Sequence, residues 1–252
     1  MEYIGMINDS LGDRMKRNYE APARHRLTRR MPTIIRVDGR AFHTLTAPLQ
    51  KPFDPDFILA MQEAAWYVAS QIQGFKLAYV QSDEASFVLT DYDNLQTDPW
   101  FGAVQSKIET IAASAMTAKF NTLIESHFLG LFDARAFNIP ESDVANYFLW
   151  RARDWHRNSV SMYARAHFSH AELRGKCMPE MHEMLHAVNR NWSNDLSDTE
   201  KNGSFIVDGL ELLTNIRPNY PEIATLWDSV NPSMMNDQNT TNEPVENENV
   251  SA

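Results

Sequence analysis

Two helical stretches, each opened by an Asp-Pro pair, are interleaved with short alternating runs, and this order restricts the fold more than any other property of the chain. The first run, Thr33 to Asp38, alternates so that Ile35 and Val37 face one side while Ile34, Arg36 and Asp38 face the other. Asp54-Pro55 then supplies an N-cap and a first-turn proline, and Ile58, Met61, Ala65, Val68 and Ile72 recur at helical spacing until Gly74. Two further runs, 77–81 and 85–90, are joined by the polar step Ser82-Asp83-Glu84 and read as a hairpin with Asp83 at its tip. Asp98-Pro99 opens the second helix, whose apolar stripe is Val104, Ile108, Ile111 and Ala115, with Lys107 beside it. A last run, 129–137, puts Asp133 and Arg135 on one face and is broken at Asn138-Ile139-Pro140. The order β-α-β-β-α-β predicts an α+β, ferredoxin-like fold: a four-stranded antiparallel sheet with two helices on one face and the other face free for chemistry.

Beyond Pro140 a long helix is expected, burying Val144, Tyr147 and Phe148 and aligning Arg151, Asp154 and Asn158. Mixed structure follows, with Met181, Met184, Leu185 and Val188 at helical spacing and a strand at Ser204 to Val207. The expected division is a catalytic domain over 1–140 with a basic N-terminal segment, a helical and mixed extension over 141–218 packed on it, and an acidic, disordered tail over 219–252.

Bulk properties exclude several classes. No apolar stretch approaches the roughly 20 residues of a membrane span, and Met1 to Met6 lack the pattern of a secretion signal, so a cytoplasmic protein is expected. Cys177 is the only cysteine, which excludes an internal disulfide and a Cys-rich zinc site; a bound metal would take oxygen ligands. The net charge of -10 argues against a nucleic-acid partner until its distribution is considered. Arg14, Lys16, Arg17, Arg24, Arg26, Arg29 and Arg30 lie close together against one acid, Glu20. They form either a polyanion-binding patch or a solvated charged face.

Asp38 and Asp83 both sit where a strand gives way to turn-forming residues, so both can reach one open sheet edge and hold a pair of divalent metals. Mg²⁺ accepts few carboxylates plus water and phosphate oxygens, so two aspartates and the Gly39 carbonyl suffice. Gly39 also permits close approach of a triphosphate, with Arg40, His43 and Lys51 as nearby phosphate contacts. Each motif alone reads more readily as an ordinary turn or hairpin tip than as a catalytic element, and the two together on neighbouring strands shift the reading toward a site. Asp54 and Asp98 are explained as helix caps, Asp133 with Arg135 as a surface ion pair, Trp150 and Trp155 as packing residues, and His156 as an exposed helical histidine.

Several strings, in order, resemble the tRNA(His) guanylyltransferase superfamily: Arg36-Val37-Asp38-Gly39-Arg40-Ala41-Phe42-His43, Lys51-Pro52-Phe53-Asp54, Gln81-Ser82-Asp83-Glu84, Ser106-Lys107, Phe132-Asp133-Ala134-Arg135 and Trp150 through Asn158. The resemblance spans roughly Leu11 to Val207. It implies a polymerase- or cyclase-type palm and 3′-to-5′ nucleotide addition at the 5′ end of tRNA, with activation by ATP and addition of GTP. It further implies that Asp38, Asp83 and the Gly39 carbonyl hold two Mg²⁺, with Glu84 beside them in the catalytic motif. Nucleotide contacts would come from Asp38, Gly39, Arg40, Ala41, Phe42, His43, Lys51, Ser82, Asp83, Lys107, His156 and Asn158. A homotetramer is the implied assembly.

The run His156-Arg157-Asn158-Ser159-Val160-Ser161-Met162-Tyr163 departs from the His-Ile-Asn-Asn-Leu-Tyr-Asn-Thr string of eukaryotic members. Leu11-Gly12-Asp13-Arg14-Met15-Lys16 is instead similar to the bacterial guanylyltransferase-like branch, which implies templated 5′-end repair. A nucleotide cyclase using the same two aspartates, and an RNA-binding module without turnover, are the alternatives.

Overall fold

The computed structural model describes residues 10–126 and 129–231. The elements in chain order are α1 (Leu11–Met15), β1 (Thr33–Arg40), α2 (Phe42–Thr46), α3 (Pro55–Gln71), β2 (Phe75–Gln81), β3 (Glu84–Leu89), α4 (Gln105–Leu123), β4 (Leu131–Asn138) and α5 (Glu141–Arg165). They continue as α6 (His170–Leu173), α7 (Met178–Ala187), α8 (Trp192–Asp195), α9 (Asp198–Asn202), β5 (Ser204–Val207), β6 (Leu212–Leu213) and α10 (Tyr220–Val230). The strands form one six-stranded sheet in the order β4-β1-β3-β2-β5-β6, with every neighbouring pair antiparallel.

Alternation in β1 sets the two cores. Ile35 and Val37 point to the face covered by α3 and α4, where they join Met61, Val68, Phe87, Ile108, Met116 and Phe120. Ile34 points the other way, with Leu77, Tyr79 and Val88, onto Val144, Phe148, Ala152 and Trp155 of α5. The second face is therefore not free, as the sequence reading expects, but covered by α5, with Ile223 and Trp227 of α10 in the same core. Its apolar residues demand burial. Along the strands they give way to Arg36 and Ser86 and then to Asp38, Glu84 and Gln81, where this face turns polar.

Asp54 caps α3 as expected, its carboxylate accepting from the Phe57 N–H at 3.0 Å. Asp98 does not cap α4. Asp98-Pro99 instead leads into a 3-10 turn, Trp100–Ala103, in which Phe101, Gly102 and Ala103 all have positive φ, and α4 begins at Gln105. The buried stripe of α4 is accordingly Ile108, Ala112, Met116 and Phe120, while Ile111 is exposed. Downstream, β5 pairs with β2, so the sheet draws strands from both sides of residue 140. Tyr220–Val230 is an ordered helix and not part of a disordered tail; the opening residues and the stretch beyond 231 lie outside the described residues. Among the described residues no helix is long and apolar enough to cross a membrane.

Gly74 is required where α3 turns into β2. Its φ is +77°, and an added Cβ would lie 2.0 Å from the carbonyl oxygen of Thr90, the residue just past β3 whose N–H donates to the Gly74 carbonyl at 2.9 Å. Gly74→Ala is expected to cost roughly 2 kcal/mol or more, read as a lowered urea midpoint with an unchanged m-value.

Candidate active site

The β1–β3 register sets Asp38 opposite Glu84, and the β1–β4 register sets Asp38 opposite Asp133. The Gly39 N–H donates to the Asp83 carbonyl at 2.9 Å, which ties the hairpin tip to the end of β1. Ser82 makes that tip with φ of 46°. Asp38, Ser82, Asp83 and Glu84 thus share one wall of a cleft of about 290 Å³, whose opposite wall is α5 through Arg151, Asp154, Asn158 and Arg165.

Glu84 is not a free acid. Arg151 grips it in a bidentate pair, Nε to Oε1 at 2.7 Å and Nη2 to Oε2 at 2.6 Å, with side-chain exposures of 8% and 9%. The same guanidinium lies 3.4 Å from Asp154. Next to this pair, burial holds the Asp83 carboxyl above its ordinary value, and the Asp38 and Glu84 carboxylates add to the rise against hydrogen bonds from its own backbone and Ser82. Asp38, Asp83, Glu84 and Asp154 outnumber Arg151 and Arg165, so the cleft carries excess negative charge suited to divalent cations. Among the described residues no three His, Cys, Asp or Glu side chains converge on one point. The oxygen donors at the sheet end, Asp38, Asp83 and the Gly39 carbonyl, fit a Mg²⁺ ion that keeps positions for water and phosphate.

A second, apolar cavity of about 100 Å³ adjoins the cleft and shares Gln81, Ser82, Trp155 and Met162 with it. Phe53, Phe57, Met61 and Val80 line it, and the buried Gln62 amide donates to Ser204 Oγ at 2.6 Å on its wall. Lys51 borders this cavity, its ammonium donating to the Thr46 carbonyl at 2.5 Å.

The residues singled out in the sequence separate into three groups. Asp38, Ser82, Asp83, Glu84 and Asn158 meet in the cleft, and Lys51 stands at the adjoining pocket. Arg40, the last residue of β1, is exposed, as are Ala41, with φ of 56°, and His43 just beyond it. The Phe42 ring, however, packs in the core on Phe57, Phe120 and Phe132, so only its backbone is available to a ligand.

Lys107 and His156 are not brought to the cleft. Gln105 and Glu109 of α4 bond to Ala136, whereas Thr117 bonds to Phe132, the residue opposite Gly39. Lys107 lies ten residues before Thr117, about 15 Å along the helix, at the far end of the sheet. His156 falls off the stripe of α5 that carries Asp154 and Asn158; its ring meets Trp192 edge-on at 4.7 Å and its Nδ1 is buried without a hydrogen bond. Burial, then His182, lowers its pKa.

The basic run is similarly divided. Arg26 bonds to the Gly102 carbonyl, Arg29 pairs with Asp91 and Asp98, and Arg24 pairs with Glu20. Arg14 and Lys16 stay exposed on a helical arm that buries no residue. Sequence reasoning missed Arg151 as the partner of Glu84, and Arg36 as a site residue, although their spacings put both on the faces that meet here. Arg36 shares the face of Asp38, and its buried Nε has no hydrogen bond.

An added Cβ on Gly39 would lie 2.5 Å from the Phe42 ring, which the core prevents from yielding. Gly39→Ala is therefore expected to displace the Asp38–Asp83 edge and cut the activity of this site by roughly 10²-fold, the cost of about 1 Å of misplacement, while far-ultraviolet circular dichroism stays unchanged.

The site joins an acidic sheet end to a polar cleft and an apolar pocket, and similar proteins give its class, a nucleotidyltransferase. Residues 12–140 match the family model described as tRNAHis guanylyltransferase (Thg1). The tRNA(His) guanylyltransferase of Schizosaccharomyces pombe is 30% identical over 196 residues, 68% of this chain and 73% of that protein. A bacterial tRNA(His) guanylyltransferase-like protein solved in complex with ATP superposes with a TM-score of 0.79 at 42% identity, over 88% of this chain and 97% of that one. The same description in complex with GTP gives 0.71 at 40% identity, with the same coverage. The enzyme from Saccharomyces cerevisiae, at 22% identity and a TM-score of 0.68 over 79% of this chain and 94% of its own, shares the fold. The chain belongs to the tRNAHis guanylyltransferase family.

Proposed function

We propose that this chain extends the 5′ end of tRNA in the 3′-to-5′ direction, using Mg²⁺ and nucleoside triphosphates, and that templated repair of truncated 5′ ends is its preferred reaction. The observation that carries this reading is the fastening of Asp38 and Asp83 to one sheet end, beside a cleft that continues into an apolar pocket. In it, β4-β1-β3-β2 with α3 and α4 serves as a polymerase-type palm. The ATP and GTP complexes of the bacterial relatives support a triphosphate in the cleft, with its base in the pocket and Lys51 near its phosphates.

Asp38, Asp83 and the Gly39 carbonyl would hold two Mg²⁺, which when bound would acidify the attacking hydroxyl and neutralise phosphoryl charge. The 3′-hydroxyl of the incoming nucleotide attacks the 5′ phosphorus of the RNA. A new phosphodiester forms, and pyrophosphate leaves from a 5′-triphosphate, or AMP from an end first activated by ATP. The chain's part is to orient: Ser82 and Lys51 fix the triphosphate, Arg36 faces the acceptor phosphate, and α5 keeps the cleft shut on one side.

The test is a tRNA lacking its first nucleotide, incubated with labelled GTP, ATP and Mg²⁺. A longer RNA is expected. A cyclic nucleotide without RNA extension would transfer the site to cyclase chemistry, and RNA binding without any product would leave only a binding module.

A further inference from the structure

We infer that Trp150 is a stacking platform for the terminal base pair of the RNA acceptor, set beside the cleft so that the stem ends there and the 5′ phosphate reaches Asp38. This rests on the proposed reaction with an RNA end. Trp150 is 53% exposed, whereas Trp155, on the next turn, is 4% exposed and packs on Phe53. Exposure alone would not single it out; what does is that this exposed indole adjoins Arg151, a residue of the cleft wall, and offers a flat surface on which a base can stack.

The ring is held. The Arg151 guanidinium lies 4.5 Å from its centroid, and that guanidinium is itself fixed by both oxygens of Glu84. Tyr147 meets the ring edge-on at 5.9 Å and is anchored by the 2.9 Å hydrogen bond between its hydroxyl and Ser86. A ring fixed in this way loses little freedom when a base stacks on it.

Its position suits an RNA end. Tyr147 packs on Phe137 of β4, while Phe148 packs on Phe205 of β5, so Trp150 projects on the β4 side of α5, away from the apolar pocket. Arg151 joins it to Glu84, which is opposite Asp38 in the sheet. Arg153, exposed on the same helix, and Arg36, on the face of Asp38, supply positive charge for the phosphates around such a stack. Stacking reads a flat surface and not base identity, so this contact suits an enzyme that accepts 5′ ends of differing sequence.

The experiment is an equilibrium cycle with the full chain and no turnover. Wild type, Trp150→Ala and Trp150→Phe are titrated with fluorescent tRNA lacking its first nucleotide, and with the same tRNA abasic at its 5′-terminal residue. Trp150→Ala is expected to weaken binding of the intact end by about 5- to 100-fold. The abasic end should bind wild type equally weakly and lose nothing further in the variant. Trp150→Phe should keep most of the affinity, and ATP binding measured alone should be unchanged in all three proteins. Equal losses for intact and abasic ends, no loss at all, or a changed sedimentation coefficient of Trp150→Ala would overturn the platform, the last by making Trp150 a contact between copies. GTP incorporation by wild type is scored separately, so failure of the proposed reaction and failure of the platform are told apart.

Discussion

Asp38→Ala and Asp83→Ala are each expected to abolish nucleotide addition to a truncated tRNA, by 10²- to 10³-fold or more, while leaving the protein folded. The magnitude follows from the several kcal/mol of charge stabilisation a metal site supplies, at a factor of ten for about 1.4 kcal/mol. Neither side chain supports the core. Asp83 stands at a hairpin tip, in a setting where burial and two neighbouring carboxylates disfavour its ionised form. In metal-free protein at neutral pH, Asp83→Asn should therefore match or exceed wild type in thermal midpoint even though activity is gone. A calorimetric scan beside the extension assay checks both halves. A strongly destabilised Asp83→Asn would mean that the carboxylate holds the hairpin together, and full activity in either alanine variant would refute the two-aspartate assignment.

That trade between stability and activity explains why part of the site was legible in the sequence and part was not. Asp38 and Asp83 could be found because each terminates an alternating run, and the backbone bond from Gly39 to Asp83 joins the two ends. Periodicity marked β1 to β4 as strands and set Ile34 and Ile35 on opposite faces, which are the two cores. The cover on the second face was also written in the chain, in Val144, Phe148 and Ala152, but periodicity marks a buried stripe without naming what it packs on. Asp98-Pro99 misled for a related reason. The capping pattern is local, and Arg26, 76 residues before its partner Gly102, contributes to a turn that defers the helix. Lys107 and His156 were carried by motif alone, and the register of α4 and the face of α5 direct them elsewhere. Glu84 was read as catalytic because it follows Asp83, whereas the residue that determines its role lies 67 positions away.

Breaking that pair gives the second large effect. Arg151→Ala is expected to lower stability by about 3–5 kcal/mol, because it leaves the Glu84 carboxylate buried with no cation. The side chains are 8% and 9% exposed, so solvent screens this interaction little. Glu84→Gln should cost less, since the amide keeps a hydrogen bond to the guanidinium and Asp154 remains 3.4 Å from it. Replacing both residues by leucine should recover most of the stability lost in Arg151→Ala, as buried ion pairs often exchange for apolar residues of similar volume. Activity should not return with stability. Glu84 and Arg151 tie the strand that follows Asp83 to the helix that carries Asp154 and Asn158, and an apolar pair packs without fixing that register. A double-leucine variant that is stable but has lost most of its kcat makes Glu84 a positioning residue. One that regains both stability and kcat would show that the pair serves the fold alone, and one that stays unstable would trace the loss to packing and not to an unpaired charge.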